Sequence, residues 1–177
     1  MSGQRLCSVR MAAAAHMQGN KNDAESIDGY SDEEDPQPGE VLMGKFRTSK
    51  GARIHTDGLA TCVRVAVTGR YPNGGFNGDD RFLAHFAESK HKAALQGLID
   101  ALERAKGNGL QVLEVVLVIL ADGDSPDSEQ DEFNEEVIDK IRNAIGMEPT
   151  VVEHTGTYKM SIEADKRIDY AADNAAE

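Results

Sequence analysis

Alternating apolar and polar positions predict a β-hairpin in the first half of the chain. In the stretch "TCVRVAVTG", Val63, Val65 and Val67 recur with the two-residue period of a strand. The stretch "RFLAHF", residues 81–86, reads as a second strand, and a loop rich in Gly, Asn and Pro separates the two. We therefore expect these strands to pair as an antiparallel hairpin.

Two longer segments carry apolar residues at helical spacing, which predicts α-helices over residues 90–106 and 127–145. The stretch between them, "LQVLEVVLVILAD", is nearly all apolar and predicts a strand covered on both faces. Further strands are expected in "EVLMGKFR" near Glu40 and on both sides of the turn at Gly156, whereas "IHTDGLA" is expected to be a loop. This order predicts an α+β fold, a layered sandwich with a mixed β-sheet and two main helices.

The two ends of the chain are expected to lie outside this fold. The segment "NKNDAESIDGYSDEEDPQPGE" is polar and acidic, so it buries too little apolar area to offset the entropy of ordering it. Residues 1–39 are therefore predicted to be a disordered acidic tail, residues 40–168 a single α/β sandwich domain, and residues 169–177 a frayed C-terminus.

Charge and cysteine content narrow the class of protein. The formal net charge of −12 argues against nucleic acid as a partner, because neutralising phosphates requires clustered Lys and Arg. No run reaches the roughly 18 apolar residues of a membrane helix, so no membrane partner is expected. The two cysteines, Cys7 and Cys62, do not form a disulfide framework, which fits a reducing, cytoplasmic location.

Neither a cofactor nor a metal ion is predicted from the motifs. The glycine-rich stretch "GRYPNGGFNG" lacks the G-x-G-x-x-G and P-loop patterns and leads into a strand, not a helix. The histidines do not show metal-ligand spacing. The acidic stretch "DGDSPDSEQDE" lacks the central glycine and the terminal Glu of a calcium loop.

Cys62 and His85 are the strongest candidates for chemistry. A cysteine hydrolase needs a thiolate, a base that generates it, and a group that orients the base. Cys62 begins one strand of the predicted hairpin and His85 lies on the other, so pairing brings them together if the register puts both on one face. Backbone N–H groups near residues 60–62 would then form an oxyanion hole. A buried structural cysteine is the competing interpretation, and His55 is an alternate base.

The same residues resemble a known family. The stretches "TDGLATCV", "RVAV" and "FLAHF" are similar to the pattern of the chemoreceptor glutamine deamidases (CheD). In that pattern a Thr and a Gly-Leu-Gly-Ser-Cys turn precede a Val-rich strand, and a His follows on a neighbouring strand. The catalytic domain of cytotoxic necrotizing factor toxins shares this Cys-His core. The resemblance covers Gly51 to Phe86.

The resemblance implies an activity and a set of site residues. Carried over residue by residue, it implies that Cys62 is the nucleophile, His85 the general base and Thr56 the residue that orients the histidine. It also implies an α/β sandwich, no cofactor, and hydrolysis of glutamine side-chain amides in a target protein. The chain departs from the family pattern at Ala60 and Thr61, where the family has Gly-Ser, and in a longer Cys-to-His interval.

We therefore expect a cysteine-dependent amidohydrolase that deamidates glutamine side chains of a protein substrate through Cys62 and His85, with Thr56 or a backbone carbonyl orienting the histidine. The alternative is a non-catalytic acidic interaction module, in which Cys62 is a buried structural residue and the acidic surface binds a basic partner. The two hypotheses differ in whether Cys62 and His85 lie where the thiol can transfer its proton to the imidazole.

Overall fold

The computed structural model describes residues 36–58, 62–72, 78–87, 91–121 and 129–172. These residues belong to one unit. Within them the secondary-structure elements are β1 (Lys45–Ser49), β2 (Ile54–Thr56), β3 (Val63–Arg70), β4 (Arg81–Phe86), α1 (Lys92–Gly107), β5 (Gln111–Leu120), α2 (Glu129–Ile145), β6 (Thr150–His154), β7 (Tyr158–Ile162) and β8 (Ile168–Ala172).

A five-stranded mixed sheet forms the middle of the fold, with strand order β1-β4-β3-β5-β6. The predicted hairpin is confirmed, because β3 and β4 pair antiparallel with Arg64 directly opposite His85. The apolar strand β5 lies inside the sheet between β3 and β6, as its composition predicts. Its partner β6 runs parallel to it, which makes the sheet mixed.

A smaller antiparallel sheet has the strand order β2-β7-β8. Strand β7 pairs on one side with β2 and on the other with β8. The strands that flank the turn at Gly156, β6 and β7, therefore belong to different sheets and do not pair with each other.

Two apolar cores separate three layers, and the alternation of β3 assigns its residues to them. Val63, Val65 and Val67 face the helices, whose buried residues include Leu98 and Val137. Ala66, on the opposite face of β3, packs in the second core with Met160, Ile162 and other residues of the smaller sheet. Helices, large sheet and small sheet thus form an α+β layered sandwich, as predicted.

The two helices begin close to the predicted positions and bury one face each. The helix α1 starts after His91, and residue 90, where its start is predicted, lies outside the described residues. Three acidic residues occupy the first turn of α2, where the partial positive charge of the helix N-terminus favours them. Among the described residues, no helix combines the length and apolar composition that a membrane span requires.

Several element boundaries differ from the sequence predictions. The strand expected near Glu40 begins only at Lys45, because the chain turns at Gly44, where φ is 77°. The stretch expected to be the loop "IHTDGLA" contains the short strand β2. Its three residues are too few to show a periodic pattern.

The predicted chain ends also need correction. Residues 169–172, expected to be frayed, form most of β8. This strand cannot be predicted from the apolar pattern. It is an edge strand in which only Ile168 is buried, so its residues do not alternate between apolar and polar. At the other end, Gly39 accepts a hydrogen bond from the N–H of His55 at 3.0 Å, so the fold starts before residue 40. Residues 1–35 of the predicted tail lie outside the described residues.

Gly69 sits at an irregularity of β3 where a side chain does not fit, which yields a stability prediction. An added Cβ would lie 2.9 Å from the backbone oxygen of Gln111. We expect Gly69→Ala to lower the free energy of unfolding by about 1–3 kcal/mol, the usual cost of overpacking, measured by urea denaturation. Gly107→Ala is the matched control, because no atom lies within 4 Å of its added Cβ. Equal effects of the two substitutions would contradict this account.

Candidate active site

A hydrogen bond between Thr56 and His85 connects the two sheets. Thr56 is the last residue of β2 in the small sheet, and His85 lies on β4 in the large sheet. The distance between Oγ1 of Thr56 and Nδ1 of His85 is 2.6 Å, and both side chains are buried. The structure thus places together two of the three residues that the resemblance singles out.

The hydrogen bonds of Thr56 determine which nitrogen of His85 carries the proton. The Thr56 hydroxyl donates its one proton to the backbone oxygen of Val41 at 2.7 Å, because a carbonyl oxygen can only accept. Thr56 must therefore accept the proton of Nδ1 from His85. In the neutral ring, Nε2 then carries the lone pair, and this atom is buried and makes no hydrogen bond within the part of the chain that the structure describes.

Burial keeps His85 neutral at physiological pH. His85 is 3% exposed, and burial lowers the pKa of its imidazole to about 4. The positive charge of Arg64 also lowers this pKa, the Val41 carbonyl opposes the shift, and His91 adds a smaller decrease. The ring is consequently a neutral imidazole whose Nε2 is available as a hydrogen-bond acceptor or a base.

Cys62 lies on the same face of the large sheet as His85. It directly precedes β3, in which Arg64 is the residue opposite His85. Residues opposite each other on antiparallel strands project to the same face, and so do residues two apart in an extended chain. The alternation of β3, continued back by one residue, therefore places Cys62 diagonally across from His85. No hydrogen bond joins the two side chains in this arrangement.

The Cys62 thiol is covered by Met43. Cys62 is 0% exposed, and its Sγ lies 3.7 Å from Sδ of Met43. Met43 itself is 44% exposed. Burial raises the pKa of the Cys62 thiol, and the nearby Arg64 guanidinium offsets part of this increase. The thiol is therefore protonated at neutral pH.

Arg64 is a member of this group that the sequence prediction missed. The alternation of β3 puts it on the face away from the valines, but the pattern does not show that a second sheet covers that face. The side chain is 0% exposed, and its NH2 group donates a hydrogen bond to the backbone oxygen of Gly58 at 2.8 Å. Gly58 has a φ of 123°, and an added Cβ would touch Cε1 of His85 at 3.7 Å.

Other predicted features of the site lie elsewhere or outside the described residues. His55 is next to Thr56 in β2, so it projects to the opposite face of the small sheet and away from His85. Residues 59–61, which include two of the predicted oxyanion-hole positions, are outside the described residues. Among the residues that are described, no group of three or more His, Cys, Asp or Glu side chains could hold a metal ion.

Comparisons with known proteins do not assign a family. Neither the models of protein families nor the curated proteins give a match to this chain. The resemblance to the glutamine deamidases therefore stays a prediction from the sequence.

The lowered pKa of His85 predicts how stability depends on pH. In the unfolded chain His85 becomes protonated below about pH 6.5, whereas in the folded chain it stays neutral down to about pH 4. The contribution of neutral His85 to the free energy of unfolding is present above pH 6.5 and is lost as pH falls from 6.5 to 4. The loss is on the order of 3 kcal/mol. We expect His85→Asn to unfold with a flatter pH dependence between these values in urea titrations. Parallel curves for both proteins would contradict the shift.

The contact between Met43 and Cys62 predicts the accessibility of the thiol. Met43→Ala removes the covering side chain, so we expect iodoacetamide to modify Cys62 several-fold faster, since reaction requires access to the sulfur. The readout is the modified fraction of the Cys62 peptide by mass spectrometry, which separates it from Cys7. Met147→Ala is the control, because Met147 is similarly exposed, at 38%, but belongs to the segment after α2. Equal rates in wild type and Met43→Ala would refute the covering role.

Proposed function

We propose that this protein is a cysteine-dependent amidohydrolase that deamidates glutamine side chains of a target protein. The observation that carries the proposal is that Nε2 of His85 has no hydrogen-bond partner among the described residues, although it is buried on the sheet face to which Cys62 also belongs. A lone pair that is buried without a hydrogen bond is costly, and such groups concentrate where a ligand or a reaction uses them. Thr56 orients the ring so that this lone pair, not a proton, is presented.

The first half of the proposed reaction makes a thioester. Substrate displaces Met43, and the Cys62 sulfur turns from Sδ of Met43 towards Nε2 of His85. As the sulfur attacks the carboxamide carbon, its proton passes to Nε2 and the carbonyl oxygen becomes an oxyanion. When the C–N bond breaks, the imidazolium gives this proton to the leaving nitrogen, and ammonia departs.

The second half regenerates the enzyme. His85 takes a proton from water through Nε2, and the hydroxide oxygen adds to the thioester carbon. The C–S bond then breaks, the sulfur recovers the proton from the imidazolium, and a glutamate side chain leaves. Because the thiol and the imidazole are both neutral at rest, the proton moves during the attack and not before it.

The burial of Cys62 favours a second candidate function. A cysteine that is 0% exposed, with a pKa raised by burial, also fits a structural core residue in a non-catalytic acidic interaction module. In that case Cys62→Ser would affect stability, and a basic protein partner would bind wild type and variant alike. The two functions are thus separated by chemistry at the sulfur.

A library of synthetic peptides, each with one glutamine in a varied context, tests the proposal. We expect the wild-type protein to release ammonia and to convert glutamine to glutamate, read by mass spectrometry. Cys62→Ser and His85→Asn should abolish turnover, a loss of at least about 100-fold, because one lacks the nucleophile and the other the base. Thr56→Val should lower turnover less, since it removes only the group that orients the ring.

His55→Gln is the matched control for these substitutions. It changes a histidine of the same strand as Thr56 that faces away from His85, so turnover should stay at the wild-type level. Absence of turnover by wild type across the library, or equal turnover by wild type and Cys62→Ser, would overturn the proposed function and favour the interaction module.

A further inference from the structure

Arg64 is buried at a position that the fold alone does not require. It is among the largest fully buried side chains of the described residues, and it lies between the two sheets, where the neighbouring position Ala66 is apolar. Moving a guanidinium out of water is costly, because its charge loses hydration. An aliphatic side chain would fill this interior at lower cost, so the presence of an arginine calls for a role.

A hydrogen bond links Arg64 to the backbone that follows β2. Its NH2 group donates to the Gly58 oxygen at 2.8 Å, and Gly58 in turn packs beside Cε1 of His85. Arg64 is also the direct cross-strand partner of His85 and lies two residues after Cys62. Arg64 therefore binds the backbone at Gly58 and occupies the strand position next to both the imidazole and the thiol.

The charge of Arg64 acts on both reacting groups. A positive charge in the interior favours negative charge on sulfur and disfavours positive charge on imidazole, and the shifts of both groups include this contribution. Arg64 is the charged group that contributes to the pKa shift of Cys62, whereas Arg64 and His91, before α1, both contribute to that of His85. The cross-strand partner of Arg64 on β5, Val118, is apolar.

We propose that Arg64 is a positioning residue of the Cys62–His85 site: it holds the backbone at Gly58 beside His85, and its buried charge stabilises negative charge on the Cys62 sulfur. This inference rests on the proposed function for its purpose, because a charge that stabilises a thiolate matters only where the thiol reacts. The contacts and the titrations that it predicts do not depend on any substrate.

Three substitutions separate the charge of Arg64 from its hydrogen bond. Arg64→Lys keeps both the charge and a donor, Arg64→Gln keeps a donor without charge, and Arg64→Met has neither. Two readouts apply to each folded variant. One is the pH dependence of iodoacetamide modification at Cys62, and the other is the titration of His85 followed by NMR.

We expect Arg64→Gln and Arg64→Met to move two midpoints to higher pH: that of the pH dependence of Cys62 modification and that of the His85 titration. Since the thiolate is the nucleophile, each unit of increase slows modification about tenfold at a fixed pH below the midpoint. Arg64→Lys should stay close to wild type. If Arg64→Met does not fold, the comparison of Arg64→Gln with Arg64→Lys still decides the role of the charge.

Arg81→Gln is the matched control. Arg81 is a second buried arginine on the same sheet face, four residues before His85 on β4. Its Nε donates a hydrogen bond to the backbone oxygen of Glu163 at 3.1 Å. Its loss should lower stability and leave both midpoints unchanged. Unchanged midpoints in Arg64→Gln, equal shifts in Arg81→Gln, or failure of even Arg64→Lys to fold would overturn the proposal. Shifted midpoints without turnover of any peptide would uphold it and refute only the deamidase function.

Discussion

The hydrogen bond from His85 to Thr56 is the contact on which the candidate site depends. It joins a strand of the small sheet to a strand of the large sheet, so the ring is held between two layers and not by its own strand alone. Because the Thr56 hydroxyl donates its proton to the backbone oxygen of Val41, its contact with His85 fixes both the orientation and the tautomer of the imidazole. A single buried hydroxyl thereby turns a core histidine into a potential base.

Burial explains why this site is neutral at rest. It is the main cause of the lowered pKa of His85, and the positive charge of Arg64 lowers this pKa further, so the imidazole does not protonate near neutral pH. Burial also keeps the Cys62 thiol protonated. The site therefore differs from a preformed thiolate–imidazolium pair. In the proposed reaction, the ion pair forms only when substrate reaches the sulfur.

The sequence predicts the parts of the fold that have a strong period. The valines of β3 and the stretch that forms β4 give the hairpin, and apolar spacing gives both helices and the inner strand β5. The short strand β2 and the edge strand β8 bury too few apolar residues to show a pattern. Since these two strands belong to the small sheet, the sequence does not reveal the layer that buries Arg64.

The site residues follow the same division. Cys62 and His85 could be selected from their residue types and the hairpin, and Thr56 from a resemblance. The cover over the sulfur could not be predicted, because Met43 reaches Cys62 through a turn at Gly44 in a segment that reads as a strand. The role of Arg64 depends on the register with His85, which only the paired strands define.

The strand order of the small sheet has a consequence for how the molecule is made. Thr56 is held in β2, and the one strand that pairs with β2 along its length among the described residues is β7, where Met160 lies opposite Thr56. A ribosome releases β7 long after the segment from Thr56 to His85. The nascent chain therefore lacks the partner strand of β2 until β7 emerges, and the contact between Thr56 and His85 is held between two complete sheets only after that point.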